Sequence, residues 1–188
     1  NILLSIRREG SSKFGDNNKW GSFPSASLGW TISNEEFMKA TRSWLSNLKL
    51  RAGFGVTGVI PSSSYLSLTK WELGSPYFYE NGKWNQGLKV GSNPNPDLKW
   101  EKSTEINVGL DWSVLDDRLS GTIDYYNKKT VDMLWWYTVP SPPNLYTSTL
   151  ANVGEMRNTG IEVAVTAVPV RTKDFEWKTT LTVSHNSN

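Results

Sequence analysis

The sequence predicts an all-β fold, an antiparallel up-and-down sheet of about seven strands, on the basis of three observations. Apolar and polar residues alternate along most of the chain, as they do in strands with one apolar and one polar face. The connections between these segments are alternately short and long. Within each pair of segments, the apolar residues lie next to the short turn, and polar residues follow farther away. Strands joined in sequence order to their neighbours show this combination.

The alternation is clearest in residues 106–114. Ile106 and Trp112 share one face there, and Asn107 and Asp111 share the other. The predicted strands, in chain order, are 2–6, 24–32, 48–56, 106–114, 119–125, 161–167 and 175–183.

One short helix is expected near 35–45, between the second and third strands. Glu35 and Glu36 would lie in its first turn, where acidic side chains interact favourably with the helix dipole. Ser33 or Asn34 would be its N-cap.

The long connections all fall on one side of the sheet if the strands run up and down. These long connections are rich in Gly, Ser, Pro or Asn, and they are 9–21, 58–97 and 138–151. The helical connection and the short turns lie on the other side, and they are 34–46, 115–118 and 169–174. Outer-membrane β-barrels show this asymmetry, and they place aromatic girdles at the membrane interfaces. Trp30, Trp112 and Trp177 lie near the short-turn edge and are therefore interpreted as membrane-interface aromatics.

Two fold types fit this pattern. In a membrane barrel, the apolar face would contact lipid, and a stretch of about nine residues tilted by ~40° would span roughly 23 Å of the bilayer. In a soluble β-sandwich the apolar face would be internal, and the chain would be an aromatic-rich carbohydrate-binding β-domain of a secreted protein. The position of the apolar residues at one end of each strand favours the barrel, and the sandwich is the alternative.

The composition argues against several classes of function. The 188 residues contain no Cys and a single His, His185, so thiol catalysis, His-based triads and multi-His metal sites are not expected. The net charge of +2 gives no electrostatic support for nucleic-acid binding. Paired acids at Asp116–Asp117 and Glu35–Glu36 are explained by a turn and by the start of a helix. No enzyme activity and no cofactor are predicted.

Aromatic residues are the candidate contact residues. Four lie in the longest loop and three lie near the top of a strand, just before the loop 138–151: Trp71, Tyr77, Tyr79, Trp84, Trp135, Trp136 and Tyr137. Exposed aromatic rings stack on sugars or pack against peptides and protein partners. The same residues could instead pack the loops against one another.

Seven segments, in this order and spacing, carry a family resemblance. They are Ser5–Gly15, Asn18–Ser25, Leu28–Ser33, Leu48–Gly58, Asn93–Glu101, Asp124–Thr130 and Asn152–Glu162. Together they resemble the C-terminal part of the barrel of SusC/RagA-type TonB-linked outer-membrane transporters of Bacteroidetes. The resemblance covers nearly the whole chain, and the stretch 59–92 is its variable part.

The resemblance implies that the chain is one part of a large transmembrane β-barrel in the outer membrane. It implies a transporter that imports a large nutrient, a glycan or a peptide, with a SusD-like lipoprotein lid and the TonB complex as partners. The chain begins and ends inside strand-like patterns, so residues 1–188 are expected to be a fragment of the barrel domain without its plug domain and remaining strands. Lipid, detergent or self-association would have to cover the apolar face of such a fragment.

Overall fold

The computed structural model describes residues 1–79 and 82–188. Within these described residues nine strands form, and seven of them make one antiparallel sheet in the order β1-β2-β3-β6-β7-β8-β9. The strands are β1 (Ile2–Gly10), β2 (Trp20–Thr31), β3 (Leu45–Val59), β4 (Trp71–Phe78), β5 (Trp84–Val90), β6 (Glu101–Val114), β7 (Leu119–Thr138), β8 (Ser148–Arg171) and β9 (Glu176–Ser187). The predicted all-β, up-and-down sheet of seven strands is confirmed.

The long connection between β3 and β6 contains the remaining two strands. β4 and β5 pair with each other and form a separate two-stranded hairpin. The sequence interpretation treated this stretch as a loop without strands of its own. Its Gly and Pro content obscures the alternation, and Pro76 lies beside a register shift of the hairpin.

The helical connection between β2 and β3 differs in detail from the expectation. Two short 3-10 helices, Ile32–Asn34 and Glu36–Thr41, replace a single regular helix. The predicted N-cap is wrong, because Thr31 and Glu35 occupy the N-cap positions and neither makes a side-chain cap hydrogen bond. A span this short completes few intrahelical hydrogen bonds, and 3-10 geometry is common in such connectors. In the described residues, no helix is long and apolar enough to cross a membrane.

The register of the main sheet separates its residues into two faces. Leu50, Leu110, Ile123 and Val163 are directly paired across β3, β6, β7 and β8, and we call their side of the sheet the apolar face. The apolar face is uncovered, since Ile106 is 50% exposed and Leu181 is 65% exposed. The opposite side, which we call the polar face, carries Arg51, Asp111, Asp124 and Glu162.

The hydrophobic core lies at the long-loop end of the sheet. It consists of Phe14, Phe23, Leu66, Leu98, Trp100 and Leu150, with Val56 and Leu134 packed against it. Phe14 comes from the β1–β2 loop, and Leu66 and Leu98 come from the connection that precedes β6. The core therefore joins the long loops to the strands beneath them.

Candidate functional site

A charge network occupies the middle of the polar face. The Arg51 guanidinium donates to both carboxylate oxygens of Asp111, with Nη2 2.7 Å from Oδ1 and Nε 2.9 Å from Oδ2. Arg51 Nη2 also donates to Asp124 Oδ1 at 3.0 Å. The alternation along the three strands places all three residues on the polar face, and the structure shows that they form one network.

Gly109 makes this network possible. Arg51 of β3 and Asp124 of β7 both pair with Gly109 of β6, so the ion pair spans the strand between them. A Cβ atom at position 109 would overlap the Asp124 carboxylate and the Arg51 guanidinium. The glycine therefore lets a side chain cross a complete strand and connect three strands of the wall.

Residues Asn93–Trp100 form a second constellation, which we call the clamp segment. Asn93 Nδ2 donates to the carbonyl oxygens of Tyr146 and Ser148 at 2.6 and 3.1 Å, and Asn93 Oδ1 accepts from Tyr146 N at 3.1 Å. Asn95 Nδ2 donates to Leu150 O at 2.8 Å. The two asparagines thereby satisfy backbone groups of the β7–β8 connection and the start of β8.

The other end of the clamp segment is held from both sides. Asn152 Oδ1 accepts from Lys99 N at 3.0 Å, and Asn152 Nδ2 donates to the carbonyl oxygens of Lys99 and Asp132, each at 2.8 Å. On the opposite side, Gly15 N donates to Leu98 O at 3.0 Å. A Cβ atom at position 15 would overlap the Pro96 carbonyl oxygen, so only glycine permits this approach.

Trp100 is the centre of the packing beneath the clamp segment. Its ring centroid lies 4.9 Å from that of Phe14 and 5.2 Å from that of Phe23. Its Nε1 donates to Lys19 O at 3.3 Å, so the polar atom of this buried indole is paired. This segment is one of the seven that carry the family resemblance, but its packing role could not be predicted because its partners are distant in the chain.

The predicted contact aromatics of the longest loop lie on the β4–β5 hairpin and its turn. All four are more than half exposed, at 66% for Trp71, 51% for Tyr77, 53% for Tyr79 and 69% for Trp84. Their ring contacts are local, between Tyr77 and Tyr79 and between Trp84 and Phe78. The hairpin therefore presents aromatic surface to its surroundings.

The second predicted aromatic group lies in the outer part of β7. Trp135, Trp136 and Tyr137 are all more than half exposed. Trp135 and Trp136 line a cleft of about 460 Å³ together with Leu66, Leu150 and Glu101. The Glu101 carboxylate accepts a hydrogen bond from Leu134 N at 3.0 Å, which fixes one wall of the cleft. This group and the hairpin are separate surfaces at the same end of the molecule.

The three predicted membrane-interface aromatics lie on the apolar face at the short-turn end. The Trp30 indole nitrogen donates to Glu35 Oε1 at 2.9 Å. The Trp112 ring lies over Gly121 of the adjacent strand, where a Cβ atom would collide with it. Trp177 is near the start of β9 and is 55% exposed. Trp20, at the long-loop end of β2, was not among the predicted contact or interface aromatics. It is 66% exposed, and its ring centroid lies 5.1 Å from the Arg8 guanidinium carbon.

The paired acids lie in a turn and at the start of a helix. Asp116 and Asp117 lie in the β6–β7 turn with φ of 54° and 62°, left-handed conformations that Asp tolerates better than most residues. Glu36 begins the second 3-10 helix. Within residues 1–79 and 82–188, no group of three or more His, Cys, Asp or Glu side chains is placed to hold a metal ion.

A single antiparallel sheet with one uncovered apolar face, a charged polar face and packed loops at one end is the arrangement of strands in a large membrane β-barrel. The model of the TonB dependent receptor-like β-barrel family matches residues 1–187. The chain belongs to this family, and its resemblance to SusC/RagA-type receptors is confirmed.

Curated relatives match along the whole chain. It is 39% identical over 188 residues to TonB-dependent receptor P39 of Formosa agariphila and 38% identical over 191 residues to TonB-dependent receptor SusC of Bacteroides thetaiotaomicron. Both matches cover 100% of this chain, but only 17% and 19% of those proteins. The chain thus spans less than a fifth of the length of these relatives.

Solved structures show the same arrangement of strands. The RagAB peptide importer in its closed-closed state superposes with a TM-score of 0.84 at 30% identity, covering 98% of this chain and 20% of that chain. The siderophore receptor PirA of Pseudomonas aeruginosa superposes with a TM-score of 0.53 at 17% identity, which shows the shared fold alone.

Proposed function

We propose that this chain forms seven neighbouring strands in the C-terminal part of the outer-membrane barrel of a TonB-dependent transporter of SusC/RagA type. The uncovered apolar face then contacts lipid, and the polar face lines the lumen. Trp30, Trp112 and Trp177 mark the membrane interface on the short-turn side, because aromatic girdles lie at the edges of the apolar belt. The family assignment favours this role over a soluble carbohydrate-binding domain.

The alternation of the two faces along single strands is the observation that carries the proposal. Val108 lies on the apolar face and is 42% exposed, whereas its neighbour Asn107 lies on the polar face. Burying the Arg51 network against lipid would be costly, since charged groups in hydrocarbon lose their hydration. The polar face therefore requires an aqueous or protein-filled interior.

The test uses the intact receptor with single cysteines carrying a fluorescent label, reconstituted in bilayers that contain brominated lipid. Labels at Val108 and Ile123 should be quenched strongly, and labels at the adjacent positions Asn107 and Thr122 should be quenched weakly. Equal quenching within both pairs would contradict the assignment of the faces. No quenching at any of the four positions would favour a soluble domain.

The transported substrate is a large nutrient, a glycan or a peptide, and a SusD-like lipoprotein closes the extracellular mouth. Energy for import comes from the TonB complex, and the barrel itself acts by binding and gating without catalysis. The names of the relatives support this role, since they include a SusC receptor and a RagAB peptide importer.

The exposed aromatics are the proposed contacts for ligand or lid. Trp84 on the hairpin and Trp135 at the cleft belong to the two separate aromatic surfaces. In the intact transporter, Trp84→Ala and Trp135→Ala should each weaken binding of the nutrient or of the lipoprotein, measured by titration calorimetry. If both variants bind the nutrient and the lipoprotein with unchanged affinity, these residues contact neither partner and serve only in packing the loops.

A further inference from the structure

Three cations occupy equivalent positions on the apolar face. Lys102 of β6, Lys129 of β7 and Arg157 of β8 each lie four residues from an apolar residue on the same face of the same strand, namely Ile106, Tyr125 and Ile161. Polar residues separate the two positions on every strand: Thr104, Asn127 and Thr159. The cations therefore lie just beyond the apolar belt on its long-loop side.

The register places these cations next to one another. Lys129 pairs directly with Arg157 and with Thr104. Lys102 pairs with Val131, which makes it the diagonal neighbour of Lys129. Diagonal neighbours in a sheet are separated by roughly 7–8 Å. The three side chains thus form one continuous group on three adjacent strands.

Protein groups compensate only part of this charge. Lys129 Nζ lies 2.7 Å from Glu155 Oε1, and Arg157 Nε donates to Asn127 Oδ1 at 3.2 Å. Among the described residues, Glu155 is the one carboxylate in an ion pair with these three cations. Like charges directly opposite each other destabilise a sheet. An external anion bound beside Lys129 and Arg157 would reduce this repulsion.

We propose that Lys102, Lys129 and Arg157 bind the phosphate groups of lipid headgroups in the leaflet next to the long loops. The inference rests on the proposed membrane position of the barrel. Four residues extend about 13 Å along a strand, or roughly 10 Å in height at a tilt of ~40°. Long basic side chains at this height reach the headgroup layer while their stems contact apolar surface. Arg contributes a planar fork that suits phosphate oxygens.

The test compares lipid A with dephosphorylated lipid A as probes, bound to the intact receptor in detergent and quantified by native mass spectrometry. The parent should bind the phosphorylated form at least about tenfold more tightly, and added salt should reduce the difference by screening. The triple variant K102Q/K129Q/R157Q should bind the two forms equally. The control K70Q/K89Q/K173Q removes the same formal charge elsewhere and should keep the parental preference.

The inference is overturned if the parent binds the two forms equally, or if the control variant loses the preference as fully as the test variant. If Val108 is quenched by lipid but the phosphate preference is absent, the lipid site alone fails. If Val108 and Ile123 show no quenching, the proposed membrane position itself fails. Association between two barrels through this face would instead appear as a change in oligomeric mass in the triple variant without a change in lipid preference, and this also contradicts the inference.

Discussion

The connection between β3 and β6 contains two parts that differ sharply although both are rich in aromatic or amide residues. The β4–β5 hairpin leaves Trp71 and Trp84 exposed, whereas the clamp segment ends at Trp100, which is only 5% exposed. The hairpin makes its ring contacts within itself, but the clamp segment bonds to the β1–β2 loop and to the start of β8. Aromatic content alone therefore does not decide which part of a loop is packed.

The difference follows from what each part offers to its neighbours. Asn93 and Asn95 carry amide groups that both donate and accept, so they can satisfy backbone groups of another loop. Gly15 lets the β1–β2 loop approach the clamp segment closely. The hairpin satisfies most of its backbone by strand pairing, and the Tyr146 hydroxyl of the β7–β8 connection donates a hydrogen bond to Val90 O at its end. We therefore expect the hairpin to be held to the rest of the molecule less tightly than the clamp segment.

The largest effect should come from Trp100→Ala, because this ring packs against both Phe14 and Phe23. Truncating a buried aromatic costs about 3–5 kcal/mol. In the intact receptor, the local opening free energy reported by hydrogen exchange of the Gly15 amide should fall by about that amount. Trp84→Ala, the same change at an exposed ring, should leave it unaltered, and equal losses in the two variants would refute the distinction.

Gly15→Ala should separate the β1–β2 loop from the clamp segment. The added methyl group overlaps the Pro96 carbonyl oxygen, and overpacking of this kind costs about 1–3 kcal/mol. Exchange of the Asn18 amide, which donates to Gly15 O, should accelerate. Gly53→Ala is the matched control, since a Cβ atom at position 53 meets no atom within 4 Å. Slow exchange at Asn18 in the Gly15 variant would show that the loop adapts without opening.

Asn152→Ala should weaken the same region by a different route. It leaves Lys99 N, Lys99 O and Asp132 O without their amide partner, at a cost of about 1–3 kcal/mol. The Lys99 amide should exchange faster, whereas Asn17→Ala, at an exposed position of the β1–β2 loop, should have no effect on it. If both variants protect the Lys99 amide equally, the amide network contributes nothing to the clamp.

Trp71→Ala should have the smallest effect on stability. The ring is 66% exposed, and exposed substitutions usually change the free energy of unfolding by less than about 0.5 kcal/mol. Exchange of the Gly15 amide and the thermal unfolding midpoint of the receptor should stay at parental values. A large loss of stability would mean that the hairpin supports the barrel and is not an independent contact surface.

The sheet could be predicted from the sequence because its signal is local. Apolar and polar residues alternate along each strand of the main sheet. Ile106, Val108 and Leu110 therefore share one face of their strand, and this does not depend on which strands are its neighbours. The short-turn position of Trp30, Trp112 and Trp177 follows from the same pattern. The placement of Arg51, Asp111 and Asp124 on one face was also predictable, since it requires only the alternation.

The pairing within the network and the clamp could not be predicted, because they depend on register and on distant contacts. Arg51 reaches Asp124 only because Gly109 lies between them, and no periodicity indicates which residue faces which. Phe14 and Trp100 are separated by most of the first half of the chain. The β4–β5 hairpin was missed for a local reason, since Gly74 and Pro76 interrupt its alternation. Whether its aromatics contact ligand or lid stays a prediction.

Hydrogen exchange of the intact receptor in detergent, without ligand, tests most directly whether one connection contains a rigid clamp and an independent aromatic hairpin. Amides of Gly15, Leu98 and Lys99 should exchange on the order of 100-fold more slowly than those of β4 and β5, because an isolated two-stranded hairpin is only marginally stable. Equal protection of the two parts, or a hairpin protected more strongly than the clamp segment, would contradict this division.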